Sequence, residues 1–211
     1  MPIFLREGRA VLFAHVPKTG GTSIERLFRR AGWETHFRAT RRSDPTLFPV
    51  LRCSPQHYHA TILQELVAVE RLDVAFLVTR HPLDRFRSEY VMRNIGDPRT
   101  DATSVERWAF QAFGAYRANP FVYDNHLRPQ WEFELPGARI YRLEEGLGAV
   151  VADLNERYGL GLDTAIPHSS HSKKRSGPPS SSVEISPAVA ELVADLYEED
   201  FTRFGYSLPE A

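Results

Sequence analysis

The sequence predicts a three-layer α/β sandwich, a mainly parallel central sheet flanked by helices, in a single domain over residues 1–211. Three stretches carry that expectation. Residues 10–16, AVLFAHV, form a short apolar, β-leaning run that meets a glycine turn and then a helical pattern. Residues 74–79, VAFLVT, are continuously apolar at strand length, as for a strand covered on both faces, and Pro82 opens a helix soon after. Residues 138–143, ARIYRL, make a further strand that again leads into a helix. Strands alternating with helices build parallel sheets through crossover connections.

Composition narrows the class. A chain of 211 residues with 42% apolar and 25% charged residues suits one soluble globular core. The formal net charge of −1 argues against a general nucleic-acid binder, so anion recognition must come from local clusters. The lone Cys53 leaves no internal disulfide and fits a reducing compartment. No stretch resembles a signal peptide or membrane anchor, so a cytoplasmic location and no membrane partner are expected.

In chain order, residues 3–5 and 10–16 flank Glu7-Gly8-Arg9 and predict a hairpin or one bulged strand. Pro17-Lys18-Thr19-Gly20-Gly21-Thr22-Ser23 follows. Two glycines let several amides turn toward one point, the next helix adds its unpaired N–H groups, and three hydroxyls and the Lys18 ammonium complete an anion site. The alternative is a strand–helix turn that binds nothing. Ile24, Leu27, Phe28 and Ala31 share one helical face, and Thr22 with Glu25 fits a capping box. Lys18 precedes the glycines, unlike G-x-x-x-x-G-K-[ST], so its ammonium would arrive from the strand side. Gly32 stops the helix, and residues 35–39 suit a short strand. Arg38, Arg41 and Arg42 make a basic group that is either a solvated turn or a contact for an acidic acceptor or nucleotide.

Pro55 places His57 and His59 on extended or turning chain before a helix over about residues 61–70, where i and i+2 face one way. The pair reads as structural, as catalytic, or as half of a metal site with His168 and His171. Arg80 stands at the end of the 74–79 strand, with Ser88 two turns into the following helix and Leu83, Phe86 and Tyr90 on its apolar face. Forked donors at a strand's carboxyl end sit where open α/β sheets bind ligands. Arg85 and Arg87, beside Asp84 and Glu89, read as surface ion-pair partners. Trp108, Ala112, Phe113 and Tyr116 predict a buried stripe in an irregular helical region. The dense segment 123–131 presents Asn125, His126 and Gln130, for ligand contact or for loop-bracing hydrogen bonds.

Glu144-Glu145 opens a helix with Leu147, Val150, Val151, Leu154 and Tyr158 on one face, closed by Gly159. Residues 160–186 read as a mobile loop carrying Lys173, Lys174 and Arg175, with Gly177 as a pivot: a lid, or solvated charge. A final helix starts at Ser186 and Pro187 and carries Val189, Leu192, Val193, Leu196 and Phe201.

Two of these segments resemble a known family. P-K-T-G-G-T at 17–22 is similar to the 5′-phosphosulfate loop of sulfotransferases that use 3′-phosphoadenosine 5′-phosphosulfate, and R-H-P-L-D-R-F-R-S at 80–88 resembles their 3′-phosphate motif, R-x-P-x-x-R-x-x-S. The chain looks most like the branch of heparan and uronyl 2-O-sulfotransferases and their small bacterial relatives. The resemblance is specific at these two motifs and loose between them.

It implies a P-loop-like sandwich, with the phosphosulfate on Lys18, Thr19, Gly20, Gly21, Thr22 and Ser23 and the 3′-phosphate on Arg80 and Ser88. It implies that one histidine of the H-x-H pair is the general base, His57 first because its Gln-His step looks like the family's Gly-His, with His59 close behind. It matches Asn125 and Gln130 to an N-x-x-x-x-Q pattern near the acceptor, with His126 beside them, and has Lys173, Lys174 and Arg175 close over the nucleotide. Lys18 would stabilise the leaving phosphate, a sugar hydroxyl is the favoured acceptor, and no metal is expected. Two other classes compete. A P-loop kinase would want lysine after the glycines and a magnesium-binding Asp at a strand end, where this chain has Thr79-Arg80; a binding module would keep the phosphate grips without needing the histidines.

Overall fold

The computed structural model describes residues 1–39, 51–96, 99–166 and 177–208. Five strands form one sheet: β1 Ile3–Arg6, β2 Arg9–Ala14, β3 Glu34–His36, β4 Val74–Thr79 and β5 Arg139–Arg142, in the order β3-β1-β2-β4-β5. β1 and β2 are a hairpin, with Ile3 opposite Leu12 and Glu7 and Gly8 at positive φ in the turn, and β3 adds antiparallel to β1. β2, β4 and β5 run parallel, with Ala14 beside Leu77 and Leu77 beside Ile140. The sheet is therefore parallel where crossovers connect it and antiparallel at the β1 and β3 end.

Seven helices are described: α1 Gly21–Arg30, α2 Ala60–Leu66, α3 Pro82–Arg93, α4 Ala102–Ala118, α5 Leu147–Tyr158, α6 Pro187–Leu196 and α7 Glu198–Phe204. Strand residues alternate between two cores, as a period of two requires. Leu12, Ala14 and Leu77 pack with Phe86 and Tyr90 of α3, Ala109 and Phe113 of α4, Val193 of α6 and Phe201 of α7. Val11, Phe13, Phe76 and Val78 pack on the opposite face with Ile24, Leu27 and Phe28 of α1 and Val150, Val151 and Leu154 of α5. That is the expected three-layer sandwich.

Several local expectations are corrected. β2 stops at Ala14 rather than at residue 16, because the Val16 amide bonds back to the Ala14 carbonyl and turns the chain. The capping box does not form: α1 is capped by Gly20 in the left-handed region (φ 87°) with no side-chain capping bond, and Glu25 turns inward. Glu144 and Glu145 lie in a separate short turn, since Gly146 at φ 85° breaks the chain before α5. Residue Val67 is extended, so α2 ends at Leu66. The C-terminal helix is two helices, broken at Tyr197, whose buried hydroxyl is drawn to the Leu127 carbonyl at 2.9 Å.

Arg85 is not a surface ion-pair partner. It is only 2% exposed, and its guanidinium donates to the carbonyls of Pro17 (3.1 Å), His126 (2.7 Å) and Arg128 (2.8 Å). Arg87 does pair with Asp84, at 3.0 Å. The described ends of the 160–186 stretch are anchored rather than loose: Leu160, Leu162 and Val183 are buried, and the Asn155 side chain brackets both main-chain groups of Leu162 at 2.8 Å. Lys173, Lys174 and Arg175 lie outside the described residues, as do Arg41, Arg42, His168 and His171.

Candidate active site at the tips of the parallel strands

β2 and β4 are direct parallel neighbours, so the glycine loop and Arg80 leave the same edge of the sheet. The loop is built by conformation as much as by composition. Lys18 and Gly20 both have positive φ, 72° and 87°, which turns the chain sharply between β2 and α1. The fully buried Thr19 spends its hydroxyl on the Val16 carbonyl at 2.8 Å, and so braces the loop from within. Ser23 is buried and Thr22 exposed at the start of α1; the Ser23 amide donates to the Gly20 carbonyl at 2.9 Å, and the amides before it lie at the helix end, which i to i−4 bonds do not reach. Lys18 reaches toward α3, its Nζ 3.3 Å from Met92 Sδ.

Gly21 is there for a reason of space. A Cβ at this position would lie 1.9 Å from His15 Nε2, so the ring of His15 packs directly on the loop backbone. That ring stacks on Phe13 (5.1 Å between centroids), meets His57 edge-on (5.2 Å), and sets Nδ1 3.2 Å from Glu25 Oε1. Burial pushes the His15 pKa down to about 4, against the pull of Glu25. His15 is neutral at physiological pH. One imidazole thus separates the glycine loop from His57.

Arg80 is fixed by its main chain. Gln130, wholly buried, accepts from the Arg80 amide (2.9 Å) and donates to its carbonyl (2.8 Å), and Asp200 in turn accepts from the amides of Gln130 and Trp131. The guanidinium of Arg80 reaches back to the Lys18 carbonyl at 3.4 Å, which joins the two motifs that the sequence keeps about sixty residues apart. Ser88 is half-buried on α3.

His57 ends a single 3-10 turn, Pro55–His57, and His59 is extended at the cap of α2. Both abut the 121–126 segment, in different ways. His57 Nδ1 lies 2.8 Å from Asp124 Oδ2, while Asp124 also accepts from the amide and hydroxyl of Ser54, each at 2.5 Å. Its neighbours hold the Asp124 carboxyl far below the usual carboxylate range, although burial opposes them. His59 sits against Phe121, with Nδ1 3.4 Å from Asn125 Nδ2, and burial together with Arg128 pushes its pKa down to about 4.

Tyr123, Asp124 and Asn125 are consecutively left-handed (φ 55°, 60° and 66°), a conformation that Asp and Asn tolerate but that costs about 1–2 kcal/mol at Tyr123. Cross-ties hold it: Arg93 stacks on Tyr123 and bonds its carbonyl, and Asn125 bonds the His57 carbonyl and Arg128 Nε. Strain of this kind persists where surrounding contacts fix it, and here it aims Asp124 at His57.

His126 meets the His57 ring edge-on at 4.7 Å, and its Nδ1 lies 2.8 Å from Glu89, itself paired with Arg93. Burial pushes His126 down to about 4; hydrogen bonding to His126 and the charges of His126 and Arg93 bring Glu89 to about 2 despite its burial. The fully buried Asn125 and Gln130 make the loop-bracing bonds described above, which leaves His126 as the member of that trio whose ring faces His57. Sequence alone does not mark His15, Asp124 or Glu89 as site residues. An Asp beside Asn125 was visible, but nothing in the sequence pairs residues 57 and 124.

The sheet, the lysine-and-glycine loop and the neighbouring arginine define an α/β protein that gathers cationic and amide donors at the tips of parallel strands. The family follows from the whole chain: a sequence model of the Sulfotransferase family matches residues 2–207, and the chain belongs to that family. Sulfuryl transfer is thus the general activity class. Comparison with curated proteins and with solved structures gave no match. Among the described residues no helix is long and apolar enough to cross a membrane.

Proposed function

We propose that this protein moves a sulfuryl group from 3′-phosphoadenosine 5′-phosphosulfate to an acceptor hydroxyl, with a sugar as the favoured acceptor. The observation that carries the reading is the His15 ring, packed between Gly21 and His57, which puts a carboxylate-backed imidazole next to the anion loop. The donor set fits a doubly anionic ligand: an ammonium, hydroxyls and helix-end amides at one place, and a guanidinium after the neighbouring strand.

The donor supplies an activated sulfur whose leaving group is a phosphate. Lys18 and the amides of residues 20–22 neutralise charge that develops on that phosphate, and Arg80 with Ser88 holds the 3′-phosphate. Asp124 accepts a hydrogen bond from the Nδ1–H of His57, a tautomer that keeps the lone pair on Nε2. His57 Nε2 takes the acceptor hydroxyl's proton as the oxygen attacks in line. His59, held neutral by burial and Arg128, is the lesser candidate; His126 lines the acceptor side, and Asn125 braces the loop behind it. Lys173, Lys174 and Arg175 are the candidate cover over the nucleotide.

Calorimetry with adenosine 3′,5′-bisphosphate tests the donor site. The parent chain binds it. Arg80→Ala weakens binding about 10- to 150-fold, as loss of a charge-assisted hydrogen bond of about 1.5–3 kcal/mol requires. A parent chain indifferent to this nucleotide, or one that binds ATP equally well and transfers its phosphate, overturns the reading.

A further inference from the structure

We propose that His57, His126 and Asp124 form a binding site for a zinc-type divalent transition-metal ion. Their ligand atoms all lie within 4.8 Å of one another. A tetrahedral ion with bonds of about 2.0–2.2 Å needs its donors about 3.3 Å apart, so side-chain rotation has at most about 1.5 Å to close. Three protein ligands with a fourth position for water is a familiar zinc arrangement.

The second observation lies behind the ligands. The His126 ring already faces a carboxylate through Nδ1, Glu89 at 2.8 Å, while His57 Nδ1 and Asp124 Oδ2, 2.8 Å apart, are two ligand atoms between which an ion would take the place of the ring proton. A carboxylate on the far nitrogen fixes the tautomer of a metal-bound imidazole and raises its donor strength. Glu89 is 1% exposed and anchored by Arg93, so the backing of His126 is rigid and its Nε2 is the nitrogen left for an ion. The backbone beneath Asp124 is also set in advance, through the bonds of Asn125 to the His57 carbonyl and to Arg128. Imidazole with carboxylate selects zinc, cobalt, nickel or copper over magnesium and calcium, which prefer all-oxygen shells.

Binding alone does not depend on the sulfotransfer reading. Its consequence does: an ion held between His57 Nδ1 and Asp124 moves the ring proton to Nε2, so the lone pair that would accept the hydroxyl proton is lost without any net release of a proton. Zinc would then switch transfer off without displacing the nucleotide.

The test uses the full chain stripped by a chelator and titrated with zinc chloride by calorimetry, and with cobalt(II) by visible absorption. One ion per chain at micromolar affinity or tighter is expected, with cobalt bands characteristic of four-coordination. His57→Ala and His126→Gln should each weaken binding at least about tenfold, and Glu89→Gln about 10- to 100-fold, with far-ultraviolet dichroism showing each variant folded. Absence of submillimolar binding by the parent chain overturns the site. So does unchanged affinity in both histidine variants, which would place the ion on other histidines. Zinc binding without any nucleotide binding would sink the sulfotransfer reading and leave the metal site standing; nucleotide binding without zinc binding would do the reverse.

Discussion

Asp124→Asn is the substitution that most sharply probes the proposed base, because the carboxylate it removes has all its contacts specified. Oδ1 accepts from the Ser54 amide, and Oδ2 accepts from the Ser54 hydroxyl and faces His57 Nδ1. An amide must put its NH2 in one of those places. On the Oδ1 side it meets the Ser54 N–H donor to donor, and a buried backbone amide loses its partner, at about 1–3 kcal/mol. On the Oδ2 side the Ser54 hydroxyl can rotate and accept, so this orientation wins. The amide then donates to Nδ1, the ring proton moves to Nε2, and the base has no lone pair. Loss of the charge-assisted bond alone is about 1.5–3 kcal/mol, or about 10- to 150-fold in rate; loss of the base brings the expected fall in kcat to about 10²–10⁴. Single-turnover transfer of labelled sulfate, with calorimetry on adenosine 3′,5′-bisphosphate, separates chemistry from binding. Nitrogen chemical shifts of the ring should show the tautomer change directly. A variant that keeps kcat within about threefold, or whose loss is all in nucleotide affinity, would refute the His57–Asp124 argument.

Further expectations concern the loop and the buried histidines. Gly21→Ala places a methyl 1.9 Å from His15 Nε2 in a packed neighbourhood, so the ring must shift toward His57; a loss of about 1–3 kcal/mol in urea denaturation is expected, and an unchanged midpoint would show that His15 has room. His15, His59 and His126 have folded-state pKa values near 4, below their ordinary value of 6.5. The unfolded chain therefore binds more protons between those limits, so stability is complete above about pH 6.5 and falls as pH drops toward 4. At about 1.4 kcal/mol per pKa unit, His15 and His126 each remove up to about 2–3 kcal/mol by pH 4, and His59, partly screened by solvent, less, together a large share of a typical total of about 5–15 kcal/mol. A denaturation midpoint that stays flat from pH 7 to 4.5 would contradict this. Gln130→Leu removes both clamps on the Arg80 main chain, and should weaken nucleotide binding about tenfold with Arg80 itself intact; calorimetry on that variant decides it.

By itself the sequence determined whatever depends on neighbours along the chain. Apolar runs at strand length placed β2, β4 and β5, helical spacing placed α1, α3 and α5, and Pro17 to Ser23 together with Arg80 to Ser88 marked the family. Local rules failed where a distant partner outbid them. Glu25 left its capping role for His15 and Arg38, and Arg85 left the surface because the carbonyls of Pro17, His126 and Arg128 converge on one buried guanidinium. Only the tertiary structure could join Asp124 to His57, His15 to Gly21 and Gln130 to Arg80. The first and last of those pairings follow from the crossing of sheet and loops, in which residues fifty or more positions apart become hydrogen-bonded, and no pattern within one segment encodes that distance.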